Sequence, residues 1–408
     1  MRIKRRINKR YALFICIFYF FVLRDWLEQI IPFTRYFDEI LALLSIPLFI
    51  LDLKRNLFKI KIKRGGGGKY IIFFLVVGIL ASTIYKYQDF MTIVVADAFL
   101  CLKFWLAVYV GKILFSEMRI ERYGRELYFH VRLVVTIYLF LYFIDMVFRV
   151  FPADIRYGFR STQLFYSHPT VFVGCCVFLI MILLAIQNYV EGYKKWLVIL
   201  LLLMCSTLRS KAFGSAFAII MICYFVFYRK KRFRLRTLLM FAPLVIILGW
   251  GQIEYYFFSS IQSGSARYQL LVTSLAIMKD YFPIGTGFGT FASYYSGVNY
   301  SPVYRLYGLT KIQGLMEGAT SFVSDSFWPM IFGQTGVLGT VTYSFAIIAL
   351  MKQIQGIRKI SIAYYASALC GLCHLLISSM AESAFVHPLA IPIAIIIGML
   401  IGQRKPEI

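Results

Sequence analysis

The stretch HPTVFVGCCVFLIMILLAIQN at residues 168–188 decides the fold class. A bilayer-spanning helix needs about 20 apolar residues, and this segment supplies that length without a single Asp, Glu, Lys or Arg. Similar apolar stretches recur throughout the chain. Hydrophobic residues make up 60% of the 408 positions and charged residues 15%, whereas soluble domains carry about 25% charged residues. A soluble fold would lack the polar surface to cover this much apolar area, so we expect an all-α polytopic membrane protein.

The whole chain, 1–408, is predicted to form a single membrane domain of about twelve transmembrane helices, since about 20 apolar residues cross the bilayer. Helices are expected because lipid offers no hydrogen-bond partner to a free backbone amide. The predicted spans lie at roughly 11–24, 38–53, 70–85, 92–115, 131–150, 168–188, 196–208, 212–228, 238–252, 326–350, 361–380 and 388–402. The shorter spans need flanking residues or re-entrant geometry to complete the crossing.

The net charge of +25 would suggest nucleic acid binding in a soluble protein, but here its distribution indicates membrane orientation. The loops between predicted spans fall alternately on the two sides of the membrane. Those on one side hold roughly 29 Lys and Arg, and those on the opposite side hold about 11. By the positive-inside rule both termini are cytoplasmic. Residues 253–325, between predicted spans 9 and 10, then form a large structured extracytoplasmic loop, and long loops of this kind are usually functional. No nucleic acid partner is expected.

The cysteines do not indicate a disulfide framework or a cofactor. Nearly all eight fall inside apolar stretches, which is typical of membrane cores. Residues 370–374 read CGLCH and match a haem attachment pattern, but they lie in the middle of a predicted span, where attachment machinery would not reach them. Neither a DxD motif nor a cluster of outer carboxylates is present in the sequence, and we expect no metal or other cofactor.

Five cationic residues of the predicted outer side sit just outside predicted span ends, and few acids lie near them in sequence. They are Arg156, Arg160, Arg209, Lys211 and Arg267. One interpretation is that they snorkel to lipid phosphates. The other is that arginines on three outer loops converge on one bound anion, because arginine recognises phosphate through paired hydrogen bonds. We favour a phosphate site, in which Lys211 is a secondary candidate.

Two further residues are candidates for proton transfer. Asp325 stands where the outer loop meets the span near Trp328, so it either caps that helix or acts as a general base. His168 precedes Pro169 at a span start and is a secondary candidate. Asp97 and Lys103 lie six apart in one span and are interpreted as a polar interior or an internal pair. The run PIGTGFGTF at 283–291 is interpreted as a tight turn after a helix, although closely spaced glycines can also cradle a phosphate.

At these residues the chain resembles the O-antigen polymerase and ligase (Wzy-type) family. Four pieces carry the resemblance: Arg156 in an outer loop, Arg209 in CSTLRSKAFGSA, Arg267 in a helix that ends in PIGTGFGTF, and SDSFWPMIFGQTGVLG at 324–339. Ligases of the family usually carry a histidine eleven residues before the first glycine of the final GxxG. Counting back from Gly336 gives Asp325, so a carboxylate replaces the imidazole, and this favours a polymerase over a ligase.

The resemblance implies a metal-independent, inverting glycosyltransferase in a bacterial cytoplasmic membrane. Its donor and acceptor would be oligosaccharide repeat units on polyprenyl diphosphate, joined on the outer face into O-antigen, capsule or exopolysaccharide. Arg156, Arg160, Arg209 and Arg267 would bind the diphosphate, and Asp325 would be catalytic. Membrane lipids and a chain-length regulator protein would be its partners.

Two alternatives remain open at this point. One is an O-antigen-type ligase, which the sequence separates from a polymerase only at Asp325. The other is a transporter (flippase) of lipid-linked oligosaccharides, for which inverted or tandem repeats and interrupted helices are typical. The halves of the chain have no convincing self-similarity.

Overall fold

The computed structural model describes residues 9–48, 50, 67–231 and 265–403, and these form a bundle of helices. The helices before residue 232 are α1 (Lys9–Val22), α2 (Arg24–Ile30), α3 (Phe37–Leu43), α4 (Gly68–Tyr85), α5 (Val95–Phe115), α6 (Ile120–Phe148), α7 (Pro169–Ile186), α8 (Tyr193–Cys205) and α9 (Ser210–Cys223). Those that follow are α10 (Ala266–Asp280), α11 (Tyr294–Val298), α12 (Pro302–Leu306), α13 (Phe327–Ile357), α14 (Ile362–Ser378) and α15 (Ala390–Gly402).

Short elements join the helices. A π-helical turn at Phe90–Val94 leads into α5 and a second at Tyr224–Tyr228 extends α9, while a 3₁₀ turn at Pro32–Tyr36 links α2 to α3. Two-residue strands, β1 (Ile155–Arg156) and β2 (Phe159–Arg160), pair antiparallel in a hairpin after α6. Further 3₁₀ turns lie at Gln187–Tyr189 and Leu309–Lys311.

The bundle is that of an all-α membrane protein. Among the described residues, six helical segments are long and apolar enough to cross a membrane: Gly68–Tyr85, Phe90–Phe115, Ile120–Phe148, Pro169–Tyr189, Ser210–Tyr228 and Phe327–Ile357. Helices α14 and α15 are shorter but equally apolar. The total of about twelve spans stays a prediction, and the predicted span 238–252 lies outside the described residues.

Most predicted spans agree with observed helices to within a few residues, with three differences. One is that α13 ends at Ile357, seven residues beyond the predicted end at 350. Helix α6 begins at Ile120, well before the predicted start at 131, because a helix can extend into water beyond its apolar stretch. The segment 119–125, predicted to be a cytoplasmic loop, is therefore mostly helix. The predicted span 38–53 begins as α3, which ends at Leu43.

Helix α7, the stretch quoted at the outset, is the centre of the bundle. Every one of its residues except Thr170 is buried, as expected of a helix that is apolar on all sides. It packs against α6, α8 and α14. Helices α5 and α15 form the tightest pair, since a Cβ atom at Gly111 or Gly398 would overlap with the backbone of the opposite helix. Small residues at helix crossings are typical of membrane bundles.

The run PIGTGFGTF forms the predicted tight turn. This turn follows α10 and packs closely against α13. Gly285 has φ +74°, and a Cβ there would lie 2.6 Å from the Gly333 carbonyl oxygen. Helix α13 bends at Gly336, where φ is 58°. The turn's amides donate to protein acceptors: Thr286 to Gly333 O (3.0 Å), Gly287 to Gln334 O (2.8 Å), Phe288 to Ser82 Oγ (2.9 Å) and Gly289 to Asp97 Oδ2 (2.8 Å). These amides are already engaged, so the turn does not cradle a phosphate.

Candidate functional site

A cavity of about 850 Å³ opens at one end of the bundle. It lies where α7, α9 and α10 begin and where the segments before α13 and α15 pass over them. Hairpin β1–β2, the corner between α1 and α3, and α11 complete its wall. We call this space, defined by those segments, the polar cavity.

The polar cavity brings together six of the seven residues that the sequence singled out. They are Arg156, His168, Arg209, Lys211, Arg267 and Asp325. These residues come from five separate segments spread over more than a third of the chain. Convergence was predicted for the arginines, although their contacts could not be derived from the sequence.

Arg160 does not line the polar cavity. Its guanidinium lies 3.0 Å from Asp145 Oδ1 at the end of α6 and also donates to the Phe151 carbonyl. Asp145 is 6% exposed and also accepts a hydrogen bond from the Phe151 amide. Arg160 thus neutralises a buried carboxylate and fastens the hairpin to the span end, which is not the diphosphate contact predicted for it.

Three of the outer cations have few acids near them in sequence, but each pairs with a carboxylate in the structure. Arg209 Nη2 lies 2.6 Å from Asp154 Oδ2, and Arg267 lies within 3.2 Å of Asp325. Lys211 pairs with Glu382 from the connection between α14 and α15. All three acids lie 55 or more positions away from their partners, so counting acids locally missed these pairs.

The lining of the polar cavity still carries excess positive charge. Seven of its described residues are cationic and three are carboxylates. The cations are Arg24, Arg35, Lys103, Arg156, Arg209, Lys211 and Arg267, and the acids are Glu39, Asp325 and Glu382. Such a lining in a partly desolvated space favours an anionic ligand.

Asp325 does not cap α13. The N-cap residue is Ser326, and no side-chain hydrogen bond caps this helix start. Instead the Arg267 guanidinium approaches Asp325 through Nε at 3.2 Å and Nη2 at 3.1 Å, and both contacts go to Oδ2. Burial raises the pKa of Asp325 above its usual value, and the neighbouring Arg267 opposes this shift. A carboxylate of raised pKa is a better proton acceptor than an ordinary one.

His168 is positioned to donate a hydrogen bond. Its Nδ1 accepts from the Thr170 amide at 3.2 Å, so the proton of the neutral ring is assigned to Nε2. Burial, with the charges of Arg209 and Lys211, lowers the pKa of His168 to about 4. At neutral pH the ring is therefore uncharged, and Nε2 offers a donor. This argues against His168 as an alternative base.

Glu382 and His387, from the connection between α14 and α15, also line the polar cavity. No pattern in the sequence pointed to Glu382. Burial alone would raise its pKa, but the charges of Lys211 and His387 outweigh burial and lower it, so Glu382 stays ionised and is a weak base. Nδ1 of His387 accepts from the Leu389 amide at 3.2 Å, which leaves Nε2 as a donor. Asp325 remains the best-suited proton acceptor in this part of the wall.

Two of the five tyrosines within residues 294–307 line the polar cavity, namely Tyr294 and Tyr295. Tyr304 is fully buried, where its hydroxyl accepts from the Ala292 amide at 2.8 Å, and Tyr300 stacks on it. Tyr307 donates to Asp280 at 2.7 Å. The first two thus present aromatic rings to the cavity, and the last three stabilise this segment of the chain.

Asp97 and Lys103 do not pair with each other, contrary to one interpretation of their spacing. Asp97 is fully buried and accepts from the Gly289 amide. Lys103 pairs with Asp38 and, at 3.1 Å, with Glu39. Asp97 therefore holds the glycine turn, and Lys103 anchors α3 against α5 beside the polar cavity.

The chain matches no protein-family model and none of the curated proteins. Among the described residues, no group of three or more His, Cys, Asp or Glu side chains could hold a metal ion. The buried CxxCH residues lie within α14, where His374 Nδ1 is 2.9 Å from Ser215 Oγ.

Proposed function

We propose that this protein is a membrane glycosyltransferase of the O-antigen polymerase (Wzy-type) family. It would join repeat units carried on polyprenyl diphosphate at the outer face of a bacterial cytoplasmic membrane. The observation that carries the proposal is the convergence of Arg156, Arg209, Arg267 and Asp325 on one cavity with excess positive charge. A transporter needs no base beside its anion site, so the placement of Asp325 favours an enzyme.

The proposed reaction is a single displacement at the anomeric carbon of the donor sugar. The acceptor hydroxyl oxygen forms the new glycosidic bond while the bond from the anomeric carbon to the diphosphate oxygen breaks. The electron pair leaves with the polyprenyl diphosphate, and the hydroxyl proton passes to Asp325. Inversion follows from attack on the face opposite the leaving group.

Arg209, Arg267 and Arg156 would stabilise the charge that develops on the departing diphosphate. Preorganised donors aimed at developing charge are usually the largest electrostatic contribution to catalysis. Arg209 and Arg267 are held in place by carboxylates before the substrate binds, which keeps buried cations from being left uncompensated. When the diphosphate contacts Arg267, Asp325 is released from its ion pair and can take the proton.

The test uses purified full-length protein in detergent, incubated with lipid-linked repeat units. Products are resolved by length. A ladder with released polyprenyl diphosphate supports a polymerase, and a single transfer to a different acceptor indicates a ligase. Unchanged substrate, under conditions where the protein is folded and binds the lipid, refutes the enzyme.

A further inference from the structure

Among the described cations that line the polar cavity, Arg24, the first residue of α2, is deeply buried and yet only loosely paired with a carboxylate. Its side chain is 9% exposed, and its nearest carboxylate, Glu28, lies 3.8 Å from Nη2. Nε is buried and has no hydrogen-bond partner in the described part of the chain. Buried polar groups are nearly always satisfied, so a guanidinium in this state on a cavity wall indicates a ligand.

The other carboxylates near Arg24 are committed elsewhere. Asp25 accepts from the Ser167 amide at 2.9 Å and from the Ser167 hydroxyl at 2.6 Å. Asp38 and Glu39 both pair with Lys103. Arg24 is therefore available to an anion that enters the polar cavity.

Arg24 belongs to a different part of the wall from the predicted diphosphate residues. Arg24 shares the carboxylate of Glu28 with Arg35, at 3.8 and 3.9 Å. Arg156 and Arg209 instead share the carboxylate of Asp154, at 4.0 and 2.6 Å. The cations thus belong to two separate ion-pair groups.

We infer that Arg24 is the central ligand of a second anion subsite, which takes the diphosphate of a second lipid-linked substrate, the acceptor. This inference rests on the proposed function, in which both substrates carry a diphosphate. Arg209 and Arg267 bind the donor's diphosphate, which leaves. Arg24 binds the acceptor's diphosphate, which stays attached to its glycan, so Arg24 positions the acceptor.

The test is the binding stoichiometry of farnesyl diphosphate, measured by calorimetry on the full chain in lipid nanodiscs. The wild-type protein is expected to bind two molecules, and Arg24→Gln one. Arg35→Gln is the matched control, because Arg35 lines the same cavity and also contacts Glu28 loosely, at 3.9 Å, but is 58% exposed. This control should still bind two molecules.

Either one molecule bound by wild type or two bound by folded Arg24→Gln overturns the inference. The wild-type stoichiometry needs no variant, and Arg24→Lys provides a second one that keeps the buried charge. Lysine cannot reproduce the paired hydrogen bonds of arginine, so binding at one site should weaken by about tenfold or more. Binding and polymerisation are separate readouts: two sites without polymer would refute the proposed function alone, and polymer with one site would refute the subsite alone.

Discussion

Substituting Asp325 by asparagine separates catalysis from stability. Asparagine has nearly the same shape and can still accept a hydrogen bond from Arg267, but it cannot take a proton at neutral pH. Loss of a general base typically slows a reaction about 10²–10⁴-fold. We expect a loss of that size in polymer formation, measured as the initial rate of ladder growth with purified protein.

The same substitution should barely change stability. Asp325 and Arg267 side chains are 32% and 29% exposed, and ion pairs that retain this much solvent contribute about 1 kcal/mol or less. Because burial raises the pKa of Asp325, its ionisation above the unfolded-state pKa destabilises the folded form, and a neutral asparagine removes that cost. The melting temperature of Asp325→Asn should therefore stay close to that of the wild type.

The dependence of activity on pH provides a second test of the role of Asp325. The base must be ionised, so wild-type activity should fall as pH decreases through the raised pKa of Asp325, and this acid limb should vanish in the residual activity of Asp325→Asn. Glu317→Gln is the matched control, since it removes an exposed ion pair with Arg305 in the same loop. A near-native rate in folded Asp325→Asn would refute the role of Asp325.

Arg209→Ala and Arg267→Ala should abolish polymer formation in inserted protein, since each removes about 2–4 kcal/mol of transition-state stabilisation, and lysine should rescue poorly; near-normal ladders would remove the phosphate site. Arg160→Gln should leave the rate per folded molecule unchanged but cost about 1–3 kcal/mol, read as a lower melting temperature, because Asp145 loses its guanidinium. In a cysteine-free background, Val298→Cys, which is exposed, should react with an impermeant thiol reagent only from outside, and labelling only from the cytoplasm would reverse the predicted orientation.

The helices, and the placement of Arg209 and Arg267 at the same end of the bundle, could be predicted from sequence because both depend on local composition. Apolar length predicts a helix such as α7, and helices of alternating direction bring Arg209 and Arg267 to the same end. Tight turns are also local, so closely spaced glycines predicted the bend at Gly285. The bend at Gly336, within α13, could not be predicted in this way, because it depends on packing between distant segments.

Most of the ion pairs in and around the polar cavity could not be predicted, since they depend on contacts between separate segments of the chain. Arg160 resembles its neighbours in sequence but turns to Asp145 in α6. Glu382 meets Lys211 across 171 positions. Arg24 follows a span end like many arginines, and its deep burial becomes visible only in the folded chain.

The most direct test of the account is a cryo-EM structure of the full chain with a polyprenyl diphosphate bound in a nanodisc. The account predicts density for the diphosphate inside the polar cavity, with phosphate oxygens about 2.7–2.9 Å from the guanidinium groups of Arg209 and Arg267. The Arg267–Asp325 contact should lengthen in that complex, since the carboxylate is released to act as a base. A diphosphate bound elsewhere on the protein, with the ion pairs of the polar cavity unchanged, would contradict the account.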